Sequence, residues 1–169
     1  MSPDMKIEML SDVELAEWYA RTIKEMKRRG IIRTNNVVGE LGEHLAIMHY
    51  QKDPKLPKLS KAPVGTQNFD AISRKGESYS IKSTTNNITG VFYGLNEKGS
   101  TNADKKIFDY VIICKFDNNY SLKAIYEIDW DTFIKHKKWH SRMKAWNLTI
   151  TKKLIMDSKI IYTANAEDE

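Results

Sequence analysis

The chain has 169 residues, 41% of them apolar and 29% charged, with a formal charge of +5 and a pI near 9.1. That suits one domain with a real hydrophobic core, and the basic balance permits nucleic acid as a partner. Apolar runs as short as Val111–Cys114 exclude a membrane span, the N-terminus MSPDMKIEML carries no secretory pattern, and the lone Cys114 excludes an internal disulfide, so a reducing cytoplasm is expected.

Ser11 with Glu14 three residues on forms a capping-box pattern, and Leu15, Trp18, Tyr19, Ile23 and Met26 recur at helical spacing up to Gly30. Lys27, Arg28 and Arg29 close this helix where its dipole favours cations. A second helix is expected from about Val37 to Tyr50, with Val38, Leu41, Leu45 and Met48 as its buried stripe and Glu40, Glu43 and Ile47 on the other side. Residues 51–67 hold three prolines and four lysines, which predicts a loop with at most an edge strand.

From Asn68 the pattern turns to strands. Residues 68–73 and 77–84 flank Arg74-Lys75-Gly76, a three-residue hairpin loop with Gly76 in the left-handed position. A polar loop over 94–106 precedes strands at 107–116 and 120–128, and Asp129 is a good N-cap for a helix over 130–138. Leu148–Thr151 and Lys159–Tyr162 read as short strands. The reading is a single domain over residues 1–162 of α/β (α+β) class, with an acidic flexible tail over 163–169.

The hairpin carries the informative chemistry. Pairing Ser73 with Glu77 sets Asp70 opposite Ser80, so Asp70, Ser80 and Lys82 share one face and Phe69, Ala71, Tyr79 and Ile81 the other. On spacing alone, a carboxylate and a lysine on a polar face also fit an exposed cross-strand ion pair.

Asp70, the glycine turn and Ser80-Ile81-Lys82 resemble the catalytic hairpin of the PD-(D/E)xK nuclease superfamily, and Gly42-Glu43-His44-Leu45-Ala46 resembles the G-E-x-x-A helix that precedes it. Similarity to type II restriction endonucleases extends through D-A at 70–71, G-x-x-Y at 76–79, K-S at 82–83, A-I-Y at 124–126 and K-W at 138–139, covering about residues 35–162. The resemblance implies a restriction-endonuclease-like fold, a central mixed β-sheet flanked by helices. It also implies a Mg²⁺-dependent endonuclease, with Mn²⁺ able to substitute, that hydrolyses double-stranded DNA as a homodimer. Residues 1–34, with Trp18 and Tyr19, would form the dimer element.

In the family two acids and a main-chain carbonyl hold the metal. Here Asp70 and the Ile81 carbonyl fill two of these places, but Ser80 stands where the second acid belongs. Glu43, then Glu40, are the helical candidates for the missing carboxylate; an inactive binding relic and an engineered knockout are the other readings. Lys82 would touch the scissile phosphate and the attacking water. An inactive DNA-binding module of the same fold, and a nuclease acting on RNA or branched DNA, are the functional alternatives.

From Lys135 to Lys153 there are seven basic residues and no acid, Lys138, Arg142 and Lys144 among them, with Trp139 and Trp146 interleaved. Such a run suits phosphate tracking, and equally a solvated basic face over core tryptophans. Thr84, Asn86, Tyr93, Asn96 and Lys98 occupy, by resemblance, the region that reads the DNA. His136 and His140 are spaced to share a metal but lack a third ligand nearby.

Overall fold

The computed structural model describes residues 6–164; the acidic tail beyond Ala164 lies outside them. After a 3-10 turn at Ile7–Met9 come α1 (Asp12–Arg28) and α2 (Val37–Lys52). The sheet is built from β1 (Leu59–Lys61), β2 (Ala71–Ser73), β3 (Ser78–Thr84), β4 (Tyr110–Phe116), β5 (Leu122–Asp129) and β8 (Lys159–Thr163), in spatial order β1-β2-β3-β4-β5-β8. All neighbours are antiparallel except β3 and β4. α3 (Trp130–His136), a two-stranded ribbon of β6 (Lys138–His140) and β7 (Ala145–Asn147), and α4 (Lys152–Asp157) fill the chain between β5 and β8.

The local signals act as expected at several points. The Ser11 side chain accepts from the Glu14 N–H while the Glu14 carboxylate takes the Ser11 N–H, closing the capping box. Asp129 caps α3 through the Thr132 N–H at 2.8 Å. Gly76 has φ +87°, and the Ser73 N–H donates to the Glu77 carbonyl at 2.8 Å, fixing the hairpin in the expected register with Ala71 opposite Tyr79.

Both faces of the sheet are covered, and the period-2 alternation sorts β4 between them. Ile112 and Cys114 join Tyr79, Ile81, Ala46, Ile47 and Tyr50 under α2, whereas Val111 and Ile113 join Phe92, Phe108, Phe133, Leu148 and Leu154 on the opposite face. A strand buried on both sides has no polar face, which is why 111–114 is an unbroken apolar run.

Three expectations are corrected. The wholly buried residues of α2 are Glu40, Gly42, Ala46, Ile47 and Tyr50, while Val38, Leu41 and Leu45 pack only in part. Small side chains let the helix approach closely: a Cβ on Gly42 would lie 1.8 Å from Ser83 Oγ. Phe69 packs with Phe92 and Phe108, across the sheet from Tyr79, because β2 begins only at Ala71 and Asn68 (φ +73°) turns the chain before it. Residues 148–151 make one isolated bridge, Ile88 with Thr149, and lead into α4, capped by Thr151.

Candidate active site

β2 stops one residue short of Asp70's neighbour on β3, and the site is built on that unfinished edge. Odd-numbered residues of β3 turn their backbone toward β2: the Glu77 and Tyr79 carbonyls accept from the Ser73 and Asp70 N–H groups. Ser78 turns the other way, its carbonyl accepting from the Asp109 N–H. By this alternation the Ile81 N–H and carbonyl face the β2 side, just past the last rung. The Asp70 carboxylate fills the gap by accepting from the Ile81 N–H at 2.6 Å.

Asp70, Ser80 and Lys82 line one cavity of about 150 Å³, with Phe69, Phe92 and Tyr93 among its walls. The expected convergence of the three polar residues is therefore present, and Phe69 joins them. The cleft is open on one side and can take a hydrated cation or phosphate oxygens. Lys82 forms no ion pair with a described residue; its ammonium lies 4.9 Å from the centre of the Phe92 ring. Nothing in the sequence signalled Phe92, an apolar residue in a polar stretch.

Burial disturbs every charge here. It raises the Asp70 carboxyl above its ordinary range, against the Ile81 N–H and the Lys82 ammonium, which favour the ionised form. It lowers Lys82, with Asp70 and Glu43 pulling the other way. Glu43, half-buried on α2, is raised by burial and then by the negative charge of Asp70. Glu43 thus lies within electrostatic reach of Asp70 although its helix covers the opposite face of β3.

Glu40 is differently engaged. Its carboxylate accepts from the backbone N–H groups of Arg33 and Thr34, the latter at 3.0 Å. Burial opposes ionisation of Glu40, but these hydrogen bonds outweigh it and hold the carboxyl below its usual range. Glu40 thus serves as a loop anchor, which leaves Glu43 as the helical candidate, although Glu43 does not itself line the cavity.

Among the described residues no group of three or more His, Cys, Asp or Glu side chains is gathered for a metal. Mg²⁺ does not need one, because one or two carboxylates with water and phosphate oxygens commonly hold it. Two desolvated carboxyls raised toward neutrality, with a carbonyl aimed at the same edge, fit such an ion. Asp70, Glu43 and the Ile81 carbonyl are the groups that would hold it, with the Ser80 hydroxyl beside them.

The expected nucleic-acid contacts divide. Tyr93 (59% exposed), Asn86, Lys98, Lys138, Arg142 and Lys144 are open to solvent. Thr84 is buried, and its hydroxyl bonds the Ile88 carbonyl at 2.8 Å, so it closes a turn and has no free edge to offer a base. Asn96 is likewise spent on its own loop: its amide donates to the carbonyls of Asn102 and Ala103 at 3.1 and 3.0 Å. Two cations of the basic run are paired, Lys135 with Asp157 and Lys137 with Asp104. His136 bonds Asp157 while His140 Nδ1 accepts from the Met143 N–H, so the two imidazoles serve separate contacts.

No protein-family model and no curated protein sequence matches the chain.

Proposed function

We propose that this protein is a Mg²⁺-dependent endonuclease of double-stranded DNA, acting in the cytoplasm as a homodimer, and similar in fold to the PD-(D/E)xK nucleases. The observation that carries the reading is the meeting of Asp70, Ser80 and Lys82 in one cavity. When bound, the metal supplies a water acidic enough to be deprotonated near neutral pH and screens the phosphate oxygens. Asp70 and Glu43 contribute the negative charge that selects a cation. The Asp70–Ile81 hydrogen bond fixes the carboxylate rotamer, so little reorganisation is needed when substrate arrives. Lys82, free of any ion pair with a described residue, meets the scissile phosphate as its negative charge builds.

Supercoiled plasmid incubated with Mg²⁺ or Mn²⁺ tests this. Lys82→Ala should lower cleavage by about 10²–10³-fold while DNA retention on a filter changes little. Cleavage that survives the substitution would place the chemistry elsewhere. A second reading, a catalytically inactive DNA-binding module, is favoured by Ser80 at the family's acidic position and by the lack of a three-acid cluster among the described residues. Retention of DNA by wild-type protein that never cuts, with either metal, would select it.

A further inference from the structure

The β6–β7 ribbon ends in Ser141-Arg142-Met143-Lys144, all four exposed, with Lys144 at φ +47°. Its base is rigid. Trp139 and Trp146 pack edge to face at 5.2 Å, the Trp146 indole N–H donates to the Asn96 carbonyl at 2.7 Å, and the Lys137 ammonium covers the Trp146 ring at 3.9 Å. The tip is apolar at its centre: Met143 is 45% exposed, between Arg142 and Lys144, neither of which forms an ion pair with a described residue. Nearly half of the Met143 surface is thus open to water, between two exposed cations.

The placement supplies a use. Trp146 forms a β-bridge with Phe92, whose ring lies beneath Lys82. Met143 is three residues before Trp146, so the ribbon tip is joined through β7 and its bridge to Phe92 to a wall of the cavity.

We propose that this hairpin is a minor-groove wedge: Arg142 and Lys144 settle on the two phosphate walls and Met143 inserts between base pairs, partly unstacking and bending the duplex. The inference rests on the reading of the protein as a DNA nuclease. Minor-groove potential attracts cations, and an apolar wedge such as Met is a recurrent means of opening a base step. A rigid hairpin base lowers the ordering cost of insertion.

Unstacking unwinds DNA, which can be read without knowing any recognition sequence. Closed circular plasmid is relaxed by a metal-independent topoisomerase in EDTA, so that nothing is cut, in the presence of saturating full-length protein. Wild type should shift the topoisomer distribution after deproteinisation; Met143→Ala should abolish the shift, and Met143→Leu should keep most of it. Plasmid retardation in the same samples should show Met143→Ala weakening binding by about tenfold or less. Thermal melting of each variant checks that the half-exposed position leaves the fold intact. Retardation without any topoisomer shift in wild type, or an equal shift in Met143→Ala, overturns the wedge and leaves the nuclease reading standing. No retardation by wild type at low salt removes the DNA reading, and the wedge with it.

Discussion

Glu40 and Glu43 sit three residues apart on α2 and carry the same group, yet their surroundings drive them in opposite directions. Two backbone N–H donors hold Glu40 ionised, whereas burial and the Asp70 charge push Glu43 toward its neutral form. Because the folded-state value of Glu40 is depressed, its contribution is fully present above the ordinary glutamate range and is lost as pH falls through the folded value. Glu40→Gln should therefore cost about 1–3 kcal/mol at neutral pH, lowering Tm by about 2–4 °C per kcal/mol, with a smaller deficit in acid. A thermal melt unchanged at pH 7 would contradict the anchor role. For Asp70 and Glu43 the sign reverses: their folded values are raised, so the fold loses stability as pH rises through them. A divalent cation bound there, as proposed, would offset that loss and would displace protons on binding. Millimolar Mg²⁺ should accordingly raise Tm more at pH 8 than at pH 5, and Asp70→Asn should erase the difference; an equal gain at both pH values would contradict metal binding between these acids. The sequence made Asp70, Ser80 and Lys82 legible because hairpin register is set by a turn and a period of two. It ranked Glu43 before Glu40 but did not foresee the role of Glu40, since nothing in helical spacing says which acid a folded loop will claim.

The contact between α2 and β3 sets how closely Glu43 approaches the hairpin. Gly42 lies against Ser83, whose hydroxyl is buried without a hydrogen-bond partner. Gly42→Ala should destabilise the protein by about 1–3 kcal/mol, because a Cβ there would lie 1.8 Å from Ser83 Oγ and 3.0 Å from Ser83 Cβ. Ser83→Ala removes an unsatisfied polar atom and should be neutral or stabilising in the same chemical denaturation series. A large loss on Ser83→Ala would mean that the hydroxyl is satisfied in solution and that the close contact is not what governs this interface. At this scale the sequence was informative wherever an element stabilises itself locally. α1 has its capping box, β2–β3 its glycine turn, and α3 its aspartate cap. β6 and β7 were missed because three-residue strands with no alternating pattern are held by tertiary contacts, here the bridge to Phe92. α4 was missed because six residues are too few for a period to show, although Thr151 marked its start.

At the scale of the whole molecule α1 stands apart. It is about 25 Å long at ~1.5 Å per residue, yet none of its residues is buried, and Val13 and Tyr19 are 70% and 66% exposed. Trp18, Met26 and Ile31 line a largely apolar hollow of about 310 Å³ between the helix and the chain that follows it. The capping box and ion pairs of α1 stabilise it locally, and its apolar face is left for a partner to cover. Cutting both strands of a duplex needs two sites facing opposite strands, which a two-fold dimer supplies and a monomer lacks. Under the proposed function a dimer through this surface would answer two needs, covering the apolar stripe and pairing the sites. Trp18→Asp should yield a monomer by sedimentation velocity, with little change in the melting of the sheet, since α1 buries no residue against it. On supercoiled plasmid that monomer should accumulate nicked circles where wild type makes linear product. A monomeric wild type, or a Trp18→Asp variant that remains dimeric and linearises plasmid, would assign the α1 face to another partner and require the second strand to be cut by a separate encounter.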